Sequence, residues 1–522
     1  MKSIAVPAFG ETEFFKNIEN DNYTVYVIPN SMLSAFSAYC QMLEEQGFEK
    51  KEERIALAHH FAAYSDGEGS VFLNYFEAVQ ELYIVLEKNC SYFYYWNKTR
   101  ETEVKATITQ LELEDFGMSY VIRLSDGRFI VIDGGRNFDP DSERLYFCLK
   151  NGSVHEKPII AAWIMTHPHP DHFHLFVGFM EKYADDVVIE KFMFNFPNCD
   201  DLEHYPTLAN SNYRFKYDTS ALAYIPKMMK WLDEISVPIY TPHTGQIYQI
   251  GDAKCEILAS MDDTIHISDN INATSLVIRM ELCGQVILWA ADADFGCAKL
   301  PEKYGDHLKA DILQVPHHGF QSGTADGEIK GYKLIKPKVC FLPVSDYNAY
   351  TVFCTFKKGT RFLMTEAGID ELITGANTRT ITLPYTPMPQ AKDDLRNKYL
   401  TGLDNCGACT WIFTDLNTAN PEDFKFSFLN TTNQKIYVYI ELFFEDPSKN
   451  VTFIEAELPA RAVRTISIIG DDVDPDFLYF NWLSLRKQGV PESAAFSARF
   501  MSNVPFIVSN KNHRASYYSP NR

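Results

Sequence analysis

Short runs of β-branched and aromatic residues, each closed by glycine, proline or aspartate, recur along the chain and predict a protein rich in strands. In the first hundred residues such runs fall at 23–28, 71–75 and 81–87. Residues 31–45 carry apolar positions at helical spacing, with Ser31 as N-cap and Gly47 as stop. From 119 to 135 the pattern is two strands around Ser125-Asp126-Gly127, a hairpin ending on Asp133-Gly134-Gly135. An amphipathic segment at 139–149 leads into residues 158–165, which are apolar without interruption, as a strand buried on both faces should be. Further strands are predicted around Gly251-Asp252 and at 285–290 and 310–316, with 334–342 and 380–383 completing the second of two sheets. Three prolines between 384 and 389 and a charged segment at 392–398 have linker composition. Beyond them 425–428, 435–444 and 463–468 read as strands of a small β-sandwich, with a polar, frayed tail from Asn510. The domains expected are a small α/β unit over 1–105, a two-sheet α/β unit over 106–386, a linker over 387–422 and the sandwich over 423–522.

Composition narrows the class. A chain of 522 residues is too long for one ordinary core. It has neither a leader-like apolar start nor any run of about 18 apolar residues, so a cytoplasmic protein with no membrane span is expected. Eleven cysteines, an odd number and several inside apolar runs, suit reduced core thiols, and Cys406-Gly407-Ala408-Cys409 reads as a loop. The net charge of −21 disfavours long nucleic acid as a partner and leaves room for a small or locally recognised substrate. Oligomeric state is not legible.

Polar residues matter most where strands end. Just past the buried run stands His167-Pro168-His169-Pro170-Asp171-His172-Phe173-His174, four imidazoles and a carboxylate in eight residues. The two prolines remove backbone donors and fix φ, which predicts a stiff loop. Imidazole and carboxylate donors together suit Zn²⁺, Fe or Mn²⁺. Downstream, 285–290 delivers Asp292, and 310–316 ends in His317-His318-Gly319. Other candidates read as structural: His59-His60 as ordinary packing residues and the aromatic run 92–96 as core. The aromatic insertion beginning at Phe192 is expected to wall or cover the site.

His167-Pro168-His169-Pro170-Asp171-His172 resembles the HxHxDH signature of the metallo-β-lactamase superfamily of metal-dependent hydrolases. The pattern is closest to the corresponding domain of bacterial DNA-uptake proteins. The resemblance implies a four-layer αββα sandwich and one or two divalent ions, zinc by preference with manganese or iron as alternatives. It places His167 and His169 on one ion, Asp171, His172 and His317 on the other, and Asp292 between them, with Asp294 as fallback. His317 is preferred to His318 because Pro316 holds it directly off the strand. Asp133 matches the carboxylate that orients the histidine loop. Asn272 stands before Ser275-Leu276-Val277, where many members carry a third histidine; His243 and His266 are nearby alternatives. His174 either points into the pocket or is structural. The implied chemistry is hydrolysis by a metal-bound hydroxide, with Asp171 holding it in line and passing its proton on. A phosphodiester or other phosphoester is the preferred substrate. The alternatives are a lactone or ester hydrolase and a non-catalytic, metal-stabilised binding or scaffold protein.

Overall fold

The computed structural model describes residues 15–94, 103–115, 117–197, 215–265, 267–268, 270–293, 295–319, 326–344, 363, 367–387, 409–433, 436–447, 451–467, 491–502 and 505–518. They fall into two compact units: 1–346 with 365–389, and 347–364 with 390–522. The 92–96 run and the stretch from Phe192 extend beyond the described residues, and the proline-rich linker, Cys406, His266 and Asp294 lie largely or wholly outside them.

The first unit opens with a six-stranded antiparallel sheet, in the order Phe15–Glu19, Tyr23–Ile28, Glu81–Glu87, Ser70–Phe76, His59–Ser65, Glu49–Ala56. The charged run at 49–54 is itself a strand, at the edge, where alternating Lys and Glu discourage pairing with another chain. One face of this sheet carries the helix Leu33–Glu45, whose Phe36, Tyr39 and Leu43 pack on Leu73, Leu82 and Ile84. Met32 rather than Ser31 occupies the N-cap, with no side-chain cap bond, and the Ser31 backbone amide donates to the Gln80 carbonyl at 2.7 Å. The other face, with Tyr23, Val25, Phe61, Phe72 and Val85, joins the core of the following domain.

That domain is built on two sheets. The first runs Ile239–Tyr240, Phe192–Met193, Ile159–Ile164, Phe129–Asp133, Ser119–Arg123, Thr107–Gln110, Arg379–Thr382. The second runs Ile247–Ile250, Ala253–Ala259, Val277–Leu282, Gln285–Trp289, Ile312–Gln314, Val339–Leu342, Glu371–Thr374. Ile108, Tyr120, Ile122, Ile130 and Ile132 of the first share one apolar cluster with Ile257, Ile278, Met280, Trp289 and Phe341 of the second. Arg379–Thr382, expected in the second sheet, pairs with Thr107–Gln110 in the first. Glu371–Thr374 takes the second sheet's edge instead.

The central strands of both sheets are parallel, so their connections must cross over, and the crossovers carry helices. Asp139–Gly152, Leu175–Tyr183 and Phe215–Glu234 serve the first sheet, packing Leu145, Phe176, Phe179 and Met228 around Trp163 and Val131. Leu300–Tyr304 and Asp326–Ile335 serve the second. The result is a mixed α/β αββα sandwich. Among the described residues no helix is long and apolar enough to cross a membrane.

The second unit packs a five-stranded antiparallel sheet and a three-stranded one around Phe413, Phe426, Phe428, Phe496 and Phe500. Cys409–Asn417, within the span 387–422 expected to be linker, is one of its strands. The expected frayed tail contains another, Ala515–Tyr518, paired with Cys409–Asn417.

His59 shows what joins the first sheet to the sandwich. Its Nε2 donates to Asn74 Oδ1 at 2.9 Å, Asn74 Nδ2 donates to the Thr244 carbonyl at 2.9 Å, and its ring stacks on Phe76. Burial pushes the His59 pKa down to about 4. A base with a depressed folded pKa contributes stability present above the unfolded value and lost as pH falls toward the folded one. His59→Gln keeps a donor and removes the titration. Measured by urea unfolding, the wild-type advantage over this variant should shrink by up to about 3 kcal/mol between pH 7 and pH 4. Parallel stability curves would refute the coupling.

Candidate metal centre

The candidate ligands lie just past strand ends that face one another across the sandwich. Ile159–Ile164 runs out into Thr166 and His167, and Phe129–Asp133 lies beside it in parallel. The prolines act as expected up to His169. Pro170 then occupies the first position of a short helix, Pro170–Phe173, a place where its missing N–H costs nothing. The Gly134 and Gly135 amides donate to the His172 carbonyl at 2.7 and 3.0 Å, and the Leu175 amide returns to the Gly135 carbonyl. Gly135 adopts a positive φ of 95°, and an added Cβ there would meet Leu113 at 2.9 Å.

Asp133 fixes the loop from beneath. Its carboxylate is fully buried, and it accepts from the Thr166 amide at 2.8 Å, the Thr166 hydroxyl at 2.8 Å and His172 Nδ1 at 2.7 Å. Because the Thr166 hydroxyl spends its proton on Asp133, it accepts from His167 Nδ1 at 3.2 Å. Both rings are therefore held by Nδ1 as donor and turn Nε2 toward the other candidate ligands.

Two groups of candidate ligand atoms result, each within 4.8 Å: Asp171, His172, Asp292 and His318, and His167, His169 and Asp292. Asp292 belongs to both. Its Oδ1 faces His172 Nε2 at 3.2 Å, and neither of these buried atoms has a hydrogen-bond partner. A proton on His172 is the cation the chain itself can set against that carboxylate, and a divalent metal held by the same two atoms would take its place. The charges point the same way. Burial opposes ionisation throughout, yet Asp292 and Asp133 hold His172 well above the ordinary imidazole range. Against the same burial, Asp292 and Asp171 raise His318 to about 9. The surrounding imidazoles keep Asp292 well below the usual carboxylate range despite its burial. Burial, with His172 and His169 beside it, pushes His167 down and keeps it neutral.

The structure brings His318, not His317, to the second group, correcting the preference drawn from Pro316. His318 Nε2 lies 3.2 Å from Asp171 Oδ2 and 3.5 Å from Asp292 Oδ2. Both histidines adopt left-handed backbone, φ 47° and 54°, and this turn swings the second ring inward. His317 Nε2 sits instead 3.1 Å from Asn272 Nδ2 and 3.8 Å from Asp292 Oδ2. Asn272 Oδ1 is 3.1 Å from His167 Nε2, so its amide spans the gap between those rings. His243 is committed elsewhere, its Nδ1 2.7 Å from Asp262 Oδ2. The His174 ring stacks on Tyr224 at 3.7 Å.

Sequence reading missed Gln314, whose Oε1 accepts from the Ala290 and Ala291 amides at 2.9 and 2.5 Å while its Nε2 donates to the Ala291 carbonyl. It shapes the turn that presents Asp292, and the His317 amide bonds the same Ala291 carbonyl. The signal was a lone amide within the apolar Ile312-Leu313-Gln314-Val315 run. Thr166 was equally legible as the one hydroxyl between the buried strand and the histidines.

Residues 113–193 match the family model described as the metallo-beta-lactamase superfamily. The chain carries a metallo-β-lactamase superfamily domain. Such domains are generally metal-dependent hydrolases, and the matched span contains Asp133 and the complete histidine loop. Solved structures similar to this chain include the short form of human tRNase Z, 12% identical, covering 53% of this chain and 100% of that one at a TM-score of 0.28. CmlA, a diiron β-hydroxylase from Streptomyces venezuelae, is 10% identical over 55% of each chain at 0.33, so the match spans about half that protein. The Anabaena sensory rhodopsin transducer is 19% identical over 20% of this chain and 96% of its own at 0.15. At these values the likenesses say nothing about substrate. A search of curated proteins gave no match.

Metal content separates the candidate ligands by position. Elemental analysis of untagged protein should find up to two ions per chain, close to none in Asp292→Ala and one fewer in His318→Ala. His317→Ala should keep the ion that His318→Ala loses. The reverse ranking of the two histidines would overturn the assignment. Chelation should lower Tm by what ligand linkage predicts, about 4 kcal/mol of stability when the ion is at a thousandfold its Kd.

Proposed function

We propose that the domain is a metal-dependent phosphodiesterase. The observation carrying this reading is the carboxylate common to both ligand groups, Asp292, which suits two ions side by side. In-line displacement at phosphorus needs charge neutralised on both the attacking and the leaving oxygen, a demand that a paired site meets. When bound, such ions acidify water and polarise the phosphoryl oxygen. The protein's own part is positional. Asp133 and Thr166 orient His172 and His167, and Gln314 holds the turn of Asp292. Asp171, kept well below the usual carboxylate range against its burial by His318, His172 and Arg136, accepts a hydrogen bond from the attacking water and holds it in line.

The Asn272-Ala273-Thr274-Ser275-Leu276-Val277 segment supports a phosphoester over an acyl substrate, because it resembles the asparagine-containing version in DNA-uptake proteins. A net charge of −21 argues for a small or locally recognised phosphodiester over long DNA.

Turnover of bis(p-nitrophenyl) phosphate and of p-nitrophenyl acetate by zinc- or manganese-loaded protein decides among the readings. The phosphodiester should be the better substrate, and Asp171→Asn should lower its kcat by about a hundredfold or more with the fold intact. Preference for the acetate would favour an acyl hydrolase. Turnover of neither, with one tightly held ion, would favour a scaffold.

A further inference from the structure

Beside the histidine loop is a group of side chains that the hydrolytic reading does not use. His174 follows the loop directly, and its side chain is more than nine-tenths buried. One face of its ring lies flat on Tyr224, with an interplanar angle of 11°. Its Nε2 is buried without a hydrogen-bond partner. Leaving such a nitrogen dry and unpaired costs on the order of 1–3 kcal/mol, so a ligand atom or water is the expected partner.

Two cations flank it. The Lys227 ammonium lies 4.3 Å from the Tyr224 ring centroid. His174 already stacks on that ring at 3.7 Å, which leaves the opposite face for the ammonium. Among the described residues no carboxylate pairs with Lys227, although the chain has 69 acidic side chains against 48 basic ones. Arg136, just past Asp133-Gly134-Gly135, is the second cation; its Nε lies 3.2 Å from Asp115 Oδ2. Arg136 follows Gly135, whose carbonyl accepts at 2.9 Å from the amide of Leu175, the residue after His174. The group is therefore adjacent to the candidate metal ligands, and Lys227 brings it a positive charge that no carboxylate among the described residues pairs with.

We propose that His174, Lys227 and Arg136 form a subsite for a second anionic group of the substrate, a phosphate or carboxylate that does not react. Lys227 and Arg136 supply charge, His174 Nε2 supplies a directed contact, and Tyr224 holds both His174 and Lys227 in place. With both faces of its ring covered, Tyr224 is a brace rather than a platform for a nucleobase. The substrate is then a phosphodiester carrying a further anion a few bonds from the scissile phosphorus. A local pair of cations on an acidic protein attracts such a molecule while the wider field repels a long polyanion. This deepens the phosphodiesterase reading and rests on it for the reaction next door.

The test is calorimetric binding to the metal-loaded full chain of thymidine 3′,5′-bisphosphate against thymidine 5′-monophosphate, alongside turnover of bis(p-nitrophenyl) phosphate. The bisphosphate should bind about tenfold more tightly, as one or two charge-assisted contacts allow. Lys227→Ala, an exposed change that leaves the core intact, should bring the ratio toward one, and Arg136→Gln should lower it. His174→Phe, which keeps the stack and removes the nitrogen, should lower it less. Equal affinities in the wild-type protein, or a preference surviving both Lys227→Ala and Arg136→Gln, would overturn the subsite. Turnover without the preference would reject the subsite alone. The preference without turnover would support the subsite and reject the phosphodiesterase reading alone.

Discussion

The buried carboxylate of Asp133 is the constraint on which the centre depends. It sits at the end of a core strand in left-handed backbone, φ 56°, with no solvent exposure. That conformation costs a non-glycine residue roughly 1–2 kcal/mol, and a buried carboxylate costs far more unless its acceptors are filled. Both demands are met from the neighbouring strand's exit, by the Thr166 amide and hydroxyl and by His172, while Trp163 Nε1 caps the Asp133 carbonyl at 3.1 Å. The charge can be buried only if the histidine loop closes over it, and the loop can turn both Nε2 atoms inward only because that charge holds the two rings by Nδ1, directly or through Thr166. Fold and chemistry meet in one group.

A similar logic reaches the far side of the site by another route. The segment carrying Asn272 is held where the Leu276 amide donates to the Thr166 carbonyl at 3.0 Å. Upstream it is braced by the helix Met261–Thr264, where Ser260 and Asp263 cap each other reciprocally and Asp263 pairs at 2.6 Å with the buried ammonium of Lys303. Lys303 also lies over the rings of Phe76 and Tyr83, and His243, on Asp262, meets Tyr23 edge to face at 4.7 Å. Those aromatic residues belong to the N-terminal sheet. That sheet is thereby part of the scaffold of the metal centre, although it contributes none of the candidate ligands.

What could be read from sequence followed from strand ends. Apolar runs closing on Asp133, His167, Asp292 and the 317–318 pair were visible because a parallel strand must be apolar along its length and can change character only where it stops. What could not be read were choices made by tertiary geometry. Nothing local separates His317 from His318; the two left-handed residues that turn the second inward answer to the Ala291 carbonyl and Gln314, far off in sequence. Residues 380–383 have strand character in either sheet, and pairing with Thr107–Gln110 is decided by long-range register. The charged edge strand Glu49–Ala56 and the late strand Ala515–Tyr518 escaped because edge strands need apolar residues on one face at most, or none.

Asn272 stands where the family resemblance leads one to expect a third imidazole, and an amide there would bear on the two candidate ion positions. The group of Asp171, His172, Asp292 and His318 offers two carboxylates and two imidazoles, enough to compensate a divalent charge. The group of His167 and His169 has only the shared Asp292 for charge, and Asn272 adds a neutral oxygen in place of a strong nitrogen donor. With Asp292 common to both, the first group would still bring one more carboxylate to its ion than the second would. The position with fewer charged donors is where a substrate oxygen would enter the coordination shell with least competition from the protein, and His169, the more exposed ring of the loop, lies on that side. Asn272, offering a neutral oxygen where an imidazole would grip harder, would leave an ion held there the more accessible to a substrate oxygen.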